Sequence, residues 1–368
     1  MEARWTPMRW PDGWKDPALL DLLKDTAIDS LLIGPGEELS AVRAQAQARG
    51  IQIGPPSGVS VIKGEWPGVK MERGRNAAAG PTGVPWVNSN GWAVRLALMQ
   101  KPESAVWVDA APEAATFVTA DSYLIAIADT AAYGGRWIVT LDAPLAASLA
   151  AKKPDAQKAW KRILETTAFF AAHKDWSGYG ETANIGVVSD FAGANEFFGQ
   201  ELLNLLGRAG AHARSLTPGK SLDGLRMLIY PDAAPPSAPL RKQFDAFVKG
   251  GGLLMTSEKR PADDPYLWAN DAVVQLSHRY DLVRFWNGGA TGSFVSSAPD
   301  GKKSVVHLLF YSMRGPDSAS VRVAGNFRAA TASTVEHPKL EKLGTLPQKG
   351  GIEIHLPPVS QYVALQLE

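Results

Sequence analysis

Up to residue 178 the chain alternates short apolar runs with longer amphipathic ones. The runs at 6–10, 30–34, 51–55, 59–63, 86–88, 106–109 and 136–142 are too short for helices and read as strands. Between them, apolar residues recur at helical spacing over 17–25, 38–49, 92–100, 121–133 and 156–173, which predicts helices. Gly50 and Gly134-Gly135 stand where a helix should stop and a strand begin. Repeated strand-then-helix order predicts a parallel sheet with helical crossovers. A (β/α)8 barrel of this kind usually needs ~250 residues, so residues 1–178 predict a compact or degraded barrel. The segment 64–85, rich in Gly, Pro and charge, reads as one long loop of the sort that builds a site at a barrel mouth.

Residues 176–180 read as a linker, after which a second α/β unit is predicted over 179–277. Its strands are 184–189, 225–230 and 253–257. Its helices are 195–208, with Phe198, Leu202, Leu205 and Leu206 on one face, and 239–248, stopped by Gly250-Gly251-Gly252. This β–α–β–α–β order with right-handed crossovers is the core of a flavodoxin-like sheet. Beyond residue 278 the period changes from helical to alternating. The runs 305–311, 320–323, 352–356 and 362–367 predict antiparallel strands, hence a small β-sandwich over 278–368.

Composition narrows the chemistry. A chain of 368 residues with 45 % apolar and 20 % charged positions is an ordinary globular one of two or three domains. A net charge of +1 leaves no basic surplus for phosphates, so nucleic acid is not an expected partner. With no cysteine there is no disulfide, zinc–thiolate site, iron–sulfur cluster or thiol nucleophile. The six histidines are scattered, without metal-ligand spacing. The three glycines precede a strand rather than follow one, so they form no phosphate loop, and no Gly-x-Ser-x-Gly elbow occurs. No metal and no cofactor are therefore expected. No apolar run of eighteen residues exists, so no membrane span is expected. The opening Met1-Glu2-Ala3-Arg4-Trp5 lacks signal-peptide features. That leaves the compartment open, an exported protein whose signal has been removed included.

Tryptophan is the unusual residue, at twelve, and ten of these precede residue 177. Indole faces stack on the C–H faces of sugar rings, so such a surplus suits a carbohydrate partner; the alternative is that these are large core residues. Trp86-Val-Asn-Ser-Asn-Gly-Trp92 is the most site-like segment: Trp86 and Trp92 offer stacking faces, and Asn88 and Asn90 offer donors and acceptors to hydroxyls. Its other reading is a turn before a helix. Arg9 and Trp10 close the first strand, Glu65 and Trp66 open the long loop, and Arg75 in the same loop could face a carboxylate or a uronic acid. Glycoside hydrolysis needs two carboxyl groups flanking the bond, and barrels place theirs at strand C-terminal ends. Asp109 in Val-Trp-Val-Asp and Asp142 in Thr-Leu-Asp fit that position; the competing reading makes both N-caps of the following helices.

The middle segments Ala183-Asn-Ile-Gly-Val-Val-Ser-Asp190, Leu228-Ile-Tyr-Pro-Asp232 and Phe247-Val-Lys-Gly-Gly-Gly-Leu-Leu-Met-Thr256 resemble a class I glutamine amidotransferase domain. The order barrel, amidotransferase-like domain, small β domain, with the ending Pro357-Pro-Val-Ser-Gln-Tyr-Val-Ala364, resembles the β-galactosidases of glycoside hydrolase family 42 and related bacterial barrel proteins. The resemblance implies a glycan substrate at the barrel mouth and a homo-oligomer assembled through the middle domain. Two departures are visible. The nucleophile turn of an amidotransferase carries Ser257-Glu258 here, and no Asn-Glu pair of the family's acid/base type occurs in the barrel segment. Two functions follow: a glycoside hydrolase using Asp109 and Asp142, or a non-catalytic carbohydrate-binding or assembly protein with the same architecture.

Overall fold

A computed structural model describes residues 5–72, 76–80, 85–112, 118–258, 264–277, 280–312 and 314–368. Strands β1 (Pro7–Arg9), β2 (Ser30–Leu32), β3 (Gln52–Ile53), β4 (Val59–Lys63), β5 (Gly68–Val69), β6 (Val87–Asn88), β7 (Ala105–Asp109), β8 (Arg136–Trp137) and β9 (Val139–Thr140) occupy the first region. Helices α1 (Ser40–Ala48), α2 (Gly91–Gln100), α3 (Ala120–Ala132), α4 (Ala143–Ala150) and α5 (Pro154–Ala172) alternate with them. Two parallel sheets form, in the orders β3-β2-β1-β9 and β4-β7-β8. Strands β8 and β9 are one run broken at Ile138, whose N–H donates to Val108 C=O at 2.9 Å, so residues 136–140 join the two sheets. The result is an arc of six parallel strands. Among the described residues no ladder joins β3 to β4, so the strands do not show a closed barrel. The run 86–88 leaves the parallel arrangement: β6 pairs antiparallel with β5, inside the stretch expected to be one loop.

Sequence chemistry fixes several of these boundaries. Thr119 caps α3, its Oγ1 accepting the Ser122 N–H at 3.1 Å. Asp142 caps α4, accepting the Leu145 N–H at 3.0 Å. Pro154 begins α5, where a missing N–H costs nothing.

The middle region holds β10 (Gly180–Glu181), β11 (Ile185–Val188), β12 (Ala213–Leu216), β13 (Met227–Tyr230) and β14 (Leu253–Thr256), with helices α6 (Glu196–Arg208), α7 (Ala238–Lys249) and α8 (Pro265–Leu276). Its parallel sheet runs β12-β11-β13-β14. Alternation along the strands feeds two cores: Ile185, Val187, Met227 and Ile229 pack with α6 and α8, while Val188, Leu228 and Tyr230 pack with Leu240 and Phe244 of α7. Strand β12 and helix α8 were not apparent in the residue pattern.

The last region, β15 (Val283–Trp286), β16 (Thr291–Ser297), β17 (Ser304–Phe310), β18 (Ala319–Ala324), β19 (Ala330–Ser333), β20 (Glu341–Lys342), β21 (Thr345–Gln348), β22 (Gly351–Leu356) and β23 (Tyr362–Leu367), forms two antiparallel sheets. They face each other across Val306, Leu308, Val321, Ile354 and Leu365. Three contacts tie the regions together. Leu309, Tyr311, Tyr362 and Ala364 share one core with the parallel arc. Trp86, Trp92 and Leu96 pack into the middle core. Strand β10 pairs with β16. Among the described residues, no helix is long and apolar enough to cross a membrane.

Candidate functional site

Parallel strands leave their C-terminal ends open to loops, and a cavity of the arc lies there. It measures about 1000 Å³ and is lined by Arg9, Val61, Ile62, Lys63, Gly64, Glu65, Trp66, Asn88, Asp109, Ala110, Ala111, Pro112, Val118 and Ser122. The register explains why these meet. Arg9 ends β1, and Lys63 and Asp109 are direct partners at the ends of β4 and β7. Asn88 ends β6 opposite Gly68, and Glu65 and Trp66 follow β4.

Asp109 does not cap a helix. Its Oδ2 accepts from Arg9 Nη2 at 2.6 Å across a sequence gap of 100 residues. The two side chains are 34 % and 40 % exposed, and an ion pair that open contributes at most about 1 kcal/mol to folding. Stability is therefore a weak reason for its place on the cavity wall. Glu65 is exposed in the same cavity, and its backbone is held by the buried Asn90 side chain. Trp66 stands edge-on to Tyr123 at 5.3 Å and to Trp137 at 5.2 Å, which sets its indole in one orientation at the wall. The wall thus combines two carboxylates, two cations, an amide and an indole with the apolar side chains of Ala110, Ala111, Pro112 and Val118.

Other residues singled out in the sequence lie elsewhere. Asp142 is 3 % exposed. One of its oxygens caps α4 and the other accepts from the Tyr123 hydroxyl at 3.1 Å, so the structure does not bring it to the cavity beside Asp109. Trp10 is buried, donating its indole N–H to Trp14 C=O at 2.8 Å. Trp86 packs against the middle region, with the Arg208 guanidinium 3.9 Å from its ring centre. Trp92 faces a separate cavity of about 50 Å³ between the three regions. Arg75 lies outside the described residues.

Two residues close to the site went unnoticed in the sequence. Lys63 sits beside Asp109 at a strand end, a position that could have been read from the run 59–63. Asp129 is fully buried in α3, where every other residue from Tyr123 to Ala132 is uncharged; a lone carboxylate in such a run was the available signal. Desolvation pushes its pKa up to about 6, against hydrogen bonds from Tyr311 and Asn90 that favour the charged form.

Neither a protein-family model nor a curated protein matches the sequence. Solved structures do. The alpha-L-fucosidase isoenzyme 2 from Paenibacillus thiaminolyticus superposes with a TM-score of 0.54 at 10 % identity, over 98 % of this chain and 83 % of that one. A rhamnosidase from Novosphingobium sp. PP1Y gives 0.51 at 11 % identity, over 90 % of this chain and 38 % of that one. A GH42 beta-galactosidase from G. stearothermophilus superposes less closely, at 0.42 and 8 % identity, over 90 % of this chain and 65 % of that one. The chain has a glycoside hydrolase-like fold. At these identities the likeness is one of fold.

Proposed function

We propose that this protein hydrolyses a glycosidic bond in the cavity at the C-terminal ends of β1, β4 and β7, with Asp109 and Glu65 as its two carboxyl groups. The observation that carries this reading is their convergence on one cavity wall beside Trp66 and Asn88. Asp109, ion-paired to Arg9, takes the anionic role of nucleophile or base, and Glu65 the role of proton donor to the leaving oxygen. Trp66 supplies a stacking face, and Asn88 and Lys63 supply groups for sugar hydroxyls. In the sequence Asp142 looked like the partner of Asp109; its capping role makes Glu65 the better candidate. The substrate is a carbohydrate, and the likeness to the fucosidase and the rhamnosidase named above argues for including aryl fucosides and rhamnosides in the trial panel. Hydrolysis of at least one glycoside, lost in Asp109→Asn, is the expected result. Full activity in Asp109→Asn would overturn the assignment.

We read the chain as three domains, 1–178, 179–277 and 278–368, the first a reduced barrel. The middle one is read as an amidotransferase-like module without a thiol nucleophile, serving assembly into a homo-oligomer. A monomer by sedimentation at micromolar concentration would contradict that role.

A further inference from the structure

One buried side chain holds the backbone of Glu65 at the start of the loop after β4. Asn90, 2 % exposed, precedes α2 and binds both backbone groups of Glu65. Glu65 N–H donates to Asn90 Oδ1 at 2.8 Å, and Asn90 Nδ2 donates to Glu65 C=O at 2.9 Å. An amide used this way replaces the strand that would otherwise satisfy those groups. Gly64 makes the approach possible: a Cβ there would stand 2.7 Å from Asn90 Oδ1 and would overlap Val108.

Asn90 is itself held from behind. Its N–H and Nδ2 both donate to Asp129 Oδ2, at 2.8 and 3.1 Å. Asp129 Oδ1 accepts from the Tyr311 hydroxyl at 2.6 Å, from a residue 182 positions along the chain in the last β region. Asp129 and Tyr311 are both buried, at 0 % and 5 % exposure. A buried carboxylate is a poor stabiliser compared with a well-packed apolar residue, so stability is a weak reason for a carboxylate at that place in α3. Its geometry offers another reason, because one oxygen fixes Asn90, which holds Glu65, and the other is itself fixed by Tyr311.

We propose that Asn90, Asp129 and Tyr311 are positioning residues that fix where Glu65 presents its carboxyl group in the cavity, so that the C-terminal β region completes the site through Tyr311. This rests on the reading of Glu65 as a reacting carboxyl. The test uses the full chain and the variants Asn90→Ala, Tyr311→Phe, Asp129→Ala, Asp129→Asn and Glu65→Gln. Two readouts are taken: amide hydrogen exchange of residues 64–66, and kcat and KM on the best glycoside of the panel. Expected are exchange about tenfold faster in Asn90→Ala and about threefold faster in Tyr311→Phe, with kcat falling in the same order and KM held within twofold. Asp129→Asn, whose amide can accept from Asn90 and donate to Tyr311, restores most of what Asp129→Ala loses. Unchanged exchange at 64–66 in both Asn90→Ala and Tyr311→Phe would overturn the proposal. So would unchanged kcat in these two when Glu65→Gln is inactive. If Asn90→Ala does not fold, Tyr311→Phe, which removes a single hydroxyl, carries the same decision. A fully active Glu65→Gln would fell the hydrolytic reading of that residue instead, while exchange would still decide whether the clasp sets its place.

Discussion

The parallel arc and the middle parallel sheet both present acidic residues at their C-terminal ends, and they treat them in opposite ways. In the first arc, Asp109 and Glu65 face a cavity of about 1000 Å³. In the middle sheet, the acidic residues after β11, β13 and β14 are tied off. Asp190 accepts from Ala192 N–H and Asn195 Nδ2 at 3.0 and 3.1 Å. Asp232 accepts from Ser189 Oγ at 2.5 Å and from Asp190 N–H at 3.4 Å. Glu258 pairs with Arg241 through both nitrogens, at 2.6 and 3.0 Å. The strand-end position is common to both sheets. What separates them is whether the carboxylate lines the cavity or is taken up by groups around it, and Asp142, spent on a helix cap and on the Tyr123 hydroxyl, belongs with the middle sheet in this respect.

The contrast can be broken in graded ways. The largest effect short of removing a reacting carboxyl is expected from Arg9→Ala. Loss of the Asp109 partner should lower kcat/KM about a hundredfold, the scale of one electrostatic group in an active site, with little change in melting temperature. An equal loss of stability and activity would make Arg9 structural.

Next is the pH dependence of folding. Asp129 has a folded pKa of about 6, raised by burial above the unfolded carboxylate value. The folded state therefore holds this proton more tightly. The stability it contributes is full below pH about 4 and is lost as pH rises to about 6, a change on the order of 3 kcal/mol. Burial also raises the pKa of Asp29 and Asp232, so the comparison must be between the native chain and Asp129→Asn. Urea melts at pH 4 and pH 7 should show a smaller difference in the variant; an identical difference in both would contradict the burial argument.

Asp232→Ala should cost about 2 kcal/mol, because the fully buried Ser189 hydroxyl loses the acceptor for its proton, while hydrolysis stays unchanged. Smallest is Asp142→Ala, expected to lose about 1 kcal/mol from the α4 cap, with Asp142→Asn close to neutral because asparagine caps equally well. A stable but inactive Asp142→Asn would return that residue to the site.

How much of this could be read in the residues follows from how local each feature is. The β1–β4 and β7 strands, α1, α3, α5 and three strands of the middle sheet, β11, β13 and β14, follow from short apolar runs and glycine stops. Strand β12, Ala-Arg-Ser-Leu, carries too little apolar pattern to stand out, and α8 begins Pro-Tyr-Leu-Trp after Asp263-Asp264, residue types that read as loop. Arg9, Glu65, Trp66, Asn88 and Asp109 were legible as candidates because strand ends and the loop after β4 are local features. For Trp10 and Asp142 the core and helix-cap readings stood beside the site readings, and burial decided for them; the roles of Trp86 and Asn90 were not legible, since each is decided by a partner distant in sequence, Trp86 by Arg208 and Asn90 by Asp129. Tyr311 lies 182 residues from the carboxylate it binds, and no local pattern reaches that far.

The contrast between open and tied-off carboxylates is tested most directly by measuring kcat/KM for Glu65→Gln, Asp109→Asn, Asp142→Asn and Asp232→Asn side by side on one glycoside. The first two are expected to fall about a thousandfold, as loss of a general acid or nucleophile does, and the last two to stay within threefold of the native rate. Native rates in Glu65→Gln and Asp109→Asn, or a collapse in Asp142→Asn or Asp232→Asn without loss of folding, would contradict it.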